Sequence, residues 1–142
     1  IRRMIELYAF GIAARNMDRD RVKLLLRDTL ASKNLPAKER RATFERLDRK
    51  FHMDIIRAAG NKRLVDLFMP IASFVDLMRN LNVRVEEALE EHVAILQAVL
   101  DGDTSQAVRL LEGHLNSVES AILLNVGDDG RKLADDLRVG LV

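Results

Sequence analysis

The sequence predicts an all-α protein, an antiparallel bundle of about six helices. Three observations predict it. Apolar residues recur at steps of three and four in one segment after another, which puts them on one face of a helix. Residues that start and stop helices fall between those segments. No stretch alternates apolar and polar with a period of two, the mark of a half-buried strand. At 142 residues the chain is long enough for one domain with a real core. It is 48% hydrophobic and 32% charged, the composition of a folded soluble protein. Aromatics make up only 4% and tryptophan is absent, so Leu, Ile, Val, Ala and Met must build most of the core.

The first helix is expected over residues 1–15. Its sequence, IRRMIELYAFGIAAR, reads as a helix already under way with no capping residue ahead of it, so we expect a further segment upstream. Asp18 or Asp20 caps a second helix that ends near Ala31. Asn34 and Pro36 open a third, long helix, with Pro36 near its first turn where its missing N–H does no harm. Gly60 ends that helix as a left-handed residue. Asn61 caps the fourth, and Pro70 is expected to kink or break it. A fifth spans roughly residues 82–101. The turn Asp101-Gly102-Asp103-Thr104 closes it, and Asp103 or Thr104 caps a sixth that reaches about Asn125. The chain divides accordingly into a helical domain, residues 1–126, and a C-terminal tail, residues 127–142, read as mobile or as a short exposed helix.

Several functions are excluded at this level. With no cysteine there is no disulfide, no thiolate-ligated zinc and no thiol catalysis, which fits a reducing cytoplasm. Acids and bases interleave to a net charge of +1, so the chain itself has no general electrostatic pull on nucleic acid. No apolar run approaches the roughly 18 residues of a membrane span, and no signal peptide is evident.

Four polar residues stand where core residues belong. The inward stripe of the third helix runs through Phe44, Asp48, Phe51 with His52, and Ile55. That of the fifth runs through Leu89, His92, Leu96 and Val99, and that of the sixth through Ala107, Leu111, His114 and Val118. Taken singly, each histidine reads as a core residue satisfied by a local hydrogen bond, and Asp48 as a carboxylate paired with Arg46 or Arg49. The set includes all 3 histidines of the chain, which weakens those separate readings. Burying a carboxylate is costly unless something pairs with it, and one metal ion would satisfy all four. His92 lies 10 residues before Gly102 and His114 lies 11 after Asp103. At about 1.5 Å per residue both sit ~15–17 Å from the turn and can face each other. Asp48 and His52 are one helical turn apart on a third helix. Mixed imidazole and carboxylate ligands suit zinc, nickel, iron or manganese, with coordination positions left open.

These residues also carry a family resemblance. The stretch LDRKFHMDIIRAAGNKRLVDL, residues 47–67, resembles the central motif of the FCD domain. That is the C-terminal effector-binding domain of FadR-subfamily GntR transcription regulators in bacteria. The opening RRMIELYAFGIAAR resembles the family's first effector-domain helix, with Arg2 and Glu6 in place. EEHVAILQAVLDGDTSQAVRLLEGHL, residues 90–115, resembles its last two helices. The likeness covers residues 1–124, and about six helices match the VanR-like branch. It implies a divalent metal on Asp48, His52, His92 and His114 and a small carboxylate effector at or near it. It also implies a homodimer, and operator DNA bound only through a separate N-terminal winged helix-turn-helix domain. Arg2 is the first candidate to grip the effector, being otherwise an i, i+4 partner of Glu6. Arg79 and Arg84 are further candidates. Asn61 reads as a structural cap, and Glu91 as exposed or as a partner of a ligand rather than a catalytic base.

Two alternatives are set against this. A histidine site with open positions can activate water in an enzyme. However, Arg49, Leu89 and Leu111 stand three before the histidines, where the ferritin-like signature needs glutamate. The zincin pair HExxH is absent as well. The other alternative is a dimerisation module stapled by its metal.

Overall fold

The structure, a computed structural model, describes residues 1–78 and 84–139, and the side chains of residues 1–76, 84–124 and 127. The described residues form the all-α bundle that the sequence predicts. Its helices are α1 (Arg2–Ala13), α2 (Arg19–Ser32), α3 (Ala37–Ala58), α4 (Lys62–Met78), α5 (Val85–Asp101) and α6 (Thr104–Val139). No helix among these residues is long and apolar enough to cross a membrane.

Local chemistry sets most of the boundaries. Asp18 caps α2, its carboxylate accepting from the N–H groups of Asp20 and Arg21 at 2.9 and 3.2 Å. Pro36 stands immediately before α3, with the extended ψ of a capping position. Gly60 follows α3 with φ +70°, a backbone that glycine adopts without strain. Asn61 then accepts from the Arg63 N–H at 3.0 Å, so it acts as the structural cap that the sequence indicates. Between α5 and α6, Gly102 is left-handed at φ 77°, and the Asp103 N–H returns to the Ala98 carbonyl at 3.0 Å. Asp103, rather than Thr104, caps α6 by accepting from the Gln106 N–H at 2.8 Å.

Two boundaries differ from expectation. α4 runs unbroken through Pro70; proline removes one hydrogen bond from the Asp66 carbonyl, and the surrounding turns hold the helix. α6 runs on to Val139 instead of ending near Asn125. The glycines in that stretch each cost about 1 kcal/mol relative to alanine, which weakens a helix without ending it. No proline interrupts the segment.

α3 is the central element. It packs against α1, α2, α4 and α5, while α5 pairs with α6 and α2 covers α5. Phe10, Phe51, Ile55, Phe68, Ile95 and Leu111 are essentially inaccessible at its heart, each contributing about 1.5–3 kcal/mol by burial. Polar groups are rare in this interior. Thr29 and Ser32 are satisfied within α2 by carbonyls of the preceding turn. Among the described residues, the other buried polar ones are Glu6, Asp48, His52, His92 and His114, and they converge on one place.

Candidate metal centre

Asp48 and His52 reach that place from successive turns of α3, His92 from α5 and His114 from α6. One ligand atom from each can be chosen so that all lie within 4.8 Å of one another. The Nε2 atoms of His92 and His114 are 3.3 Å apart. Asp48 Oδ1 lies 3.5 Å from Nε2 of both His52 and His92. Ligands at about 2.1 Å from one ion sit roughly 3–4 Å from each other, so the closer pairs already have the spacing of a coordination shell. The widest, at up to 4.8 Å, need close by about an ångström. Four side chains from three helices therefore meet as the helical phases require.

The outer edges of two rings are tied down. His52 donates its Nδ1–H to Glu6 Oε2, and the other oxygen of Glu6 accepts from Arg2 Nε at 2.5 Å. His114 donates its Nδ1–H to Glu91 Oε2 at 2.7 Å, and Glu91 Oε1 accepts from Arg84 at 3.0 Å. Each relay runs arginine, glutamate, histidine, and leaves the Nε2 lone pair aimed inward. His92 is oriented differently. Its ring stacks on Phe51 at 4.2 Å between centroids, with Phe44 at 6.0 Å. His52 Nε2 is buried and has no hydrogen-bond partner. An orphaned polar atom of this kind costs on the order of 1–3 kcal/mol, and an ion at the centre of the cluster would satisfy it. The residues present thus fit a divalent metal.

Residues 1–117 match the FCD domain family. The chain belongs to that family. Two solved structures show the same fold. The metal-free FCD domain of TM0439, a candidate transcriptional regulator, is 27% identical with a TM-score of 0.73, covering 89% of each chain. The Zn2+-bound FCD domain of TM0439 is 26% identical with a TM-score of 0.70, covering 88% of each chain. Among curated protein sequences none matches. FCD domains are regulatory, effector-binding domains of transcription regulators and not enzymes.

The electrostatics of this FCD domain keep two of its buried histidines in the neutral form that a metal ligand needs. Burial pushes His92 well below the usual imidazole range, and its neighbours His114 and His52 push the same way. Burial also lowers His114, against the opposing pull of Glu91. Both rings are therefore neutral near pH 7, as metal ligands must be. Burial opposes charge on Glu6 too, yet His52 and Arg2 outweigh it and hold the carboxyl below its ordinary value. Burial disfavours the charged form of His52, but Glu6 reverses this and raises it.

A cavity of about 30 Å³ lies against the cluster, with Arg2, Arg41, Asp48 and His114 among its walls and Phe44, Val75 and Val118 as apolar lining. Arg2, the first effector candidate, lines the cavity and also forms the i, i+4 pair with Glu6. Arg84 does not line the cavity; it backs Glu91. Arg79 lies outside the described residues. The sequence reading missed Arg41, which lines the cavity and pairs with Glu45 at 3.4 Å, and it gave Glu6 no part at the metal. Glu6 was findable, because it falls in phase with the inward residues Ala9, Phe10 and Ala13.

Proposed function

We propose that this chain is the ligand-sensing domain of a GntR-family transcription regulator of the FadR subfamily, VanR-like branch. It holds a divalent metal on Asp48, His52, His92 and His114 and answers a small carboxylate effector. The observation that carries this reading is the buried cluster with its ligand atoms within 4.8 Å and its unsatisfied His52 Nε2. The likeness to an FCD domain solved with Zn2+ supports the metal.

The charge balance argues for an anionic effector. Glu6 is balanced by Arg2 and Glu91 by Arg84, so neither relay changes the local sum. Three neutral histidines and Asp48 leave a divalent ion with one net positive charge, in an interior where charge is felt strongly. A carboxylate neutralises it and fills an open coordination position. Arg2 stands in the cavity wall to receive the remaining oxygens. A cavity of about 30 Å³ has room for only one or two water molecules, so the acid must widen it. The cavity shares Arg2, Val75, Val118 and Ile122 with a larger cleft of about 600 Å³ between α1, α4 and α6, which gives the acid a route inward. The regulator works in the cytoplasm as a homodimer and reaches operator DNA through a separate N-terminal domain.

Calorimetry of small organic acids against metal-loaded and metal-stripped protein tests the mechanism. Metal and acid should each raise the affinity of the other by the same factor. An acid that binds equally well to both forms would leave the metal a structural role only.

A further inference from the structure

We infer that Glu6 is a positioning residue for the metal, and that through it the docking of α1 and the filling of the metal site are one coupled event. This rests on the reading that the four-residue cluster holds a metal, and goes beyond it.

Glu6 belongs to α1, yet it is fully buried and spends both oxygens on directed bonds. One accepts from Arg2 on its own helix, the other from His52 Nδ1 on α3. A neutral imidazole whose Nδ1–H is tied to a carboxylate carries its lone pair on Nε2, as a metal ligand must. That is the atom that stands 3.5 Å from Asp48 Oδ1 with no hydrogen-bond partner. Glu6 therefore selects the tautomer of His52 and aims its free nitrogen at the cluster. Its negative charge also makes the ring a stronger donor to a cation.

The bond ties α1 to the site as well. A second side-chain hydrogen bond from α1 to another helix, Arg3 to Asn116 on α6, is exposed. If α1 lifts away, His52 loses the group that orients it and the site loses affinity. By linkage, a metal on His52 must hold α1 down by the same factor. Arg2 lines the cavity and bonds the same carboxylate, so an acid gripped by Arg2 acts on this link directly.

The test measures zinc affinity by competition with a chromophoric chelator in wild type, Glu6→Gln and Glu6→Ala, with amide hydrogen exchange of α1 followed with and without zinc. Imidazole nitrogen shifts report the tautomer of His52. Both variants should bind zinc about 10–100-fold more weakly, and His52 should lose its fixed tautomer in Glu6→Ala. Zinc should slow α1 exchange in wild type and fail to do so in the variants. Should Glu6→Ala not fold, Glu6→Gln keeps the volume and carries the comparison. Zinc bound by Glu6→Gln within about twofold of wild type, or α1 exchange indifferent to zinc in wild type, overturns the role of Glu6. Wild type that takes up no zinc overturns the metal reading itself.

Discussion

Glu6 and Glu91 do the same work on opposite sides of the cluster, one from inside the bundle and one from its rim. Each accepts from the Nδ1–H of a histidine and from an arginine. Glu6 is inaccessible, whereas the side chain of Glu91 is 26% exposed and that of Arg84 28%. The difference in setting changes the energetics more than the likeness in chemistry does. Water screens the Glu91 relay and can replace a lost partner. Nothing replaces Glu6, because removing it strands His52 and part of Arg2 in the interior. The same residue types in the same order thus form a rigid support on one side and a yielding one on the other.

The largest expected effect treats both sides together. The double variant His92→Ala, His114→Ala should reduce metal content to background in elemental analysis, since it removes two of four ligands. Metal content equal to wild type would sink the site.

Next in size comes the comparison itself. In metal-free protein, Glu6→Ala should cost about 3–5 kcal/mol, the usual penalty for breaking a buried ion pair from one side. Glu91→Ala should cost about 1 kcal/mol or less, as partly exposed pairs do. Urea denaturation of the two variants checks this. Equal losses would show that burial does not separate the relays.

The smallest effect is a dependence on pH. Folding lowers His92 and His114, so the unfolded chain takes up their protons first on acidification. Their contribution is present above the unfolded histidine value of about 6.5 and is lost as pH falls below it. His52 is raised and contributes with the opposite sign, its share being lost as pH rises through its folded value. With two groups against one, the metal-free domain should lose stability between about pH 7 and about pH 5.5. Denaturation midpoints that rise over that interval would contradict the balance.

Much of the site was legible because its residues break a pattern. A histidine or an aspartate on an apolar stripe is conspicuous, and the stripe itself fixes the direction in which it points. Glu6 escaped notice for the opposite reason. With Arg2 four residues before it, it resembled an ordinary surface ion pair, and only its phase with Phe10 and Ala13 marked it as inward. Arg41 sits beside Glu45 and was masked in the same way. The clamp on His92 could not be read at all, since Phe44 and Phe51 meet it across the interface between α3 and α5. The sequence places the end of α6 near Asn125, yet the helix runs on through Gly127 and Gly130. A glycine ends a helix only where the backbone turns left-handed, as at Gly60 and Gly102.

The turn at Gly102 has a further consequence: it works as a gauge. It closes α5 and starts α6 within two residues, and so decides at what height and on which side each helix presents its histidine to the other. One residue inserted between His92 and this turn would lift the ring by about 1.5 Å and swing it through roughly 100°. Such a chain could keep its caps, its apolar stripes and its fold, and still have no place for an ion. In α5 and α6, spacing is therefore under a tighter constraint than composition. A shift in length of one would silence the site more surely than most exchanges of side chain.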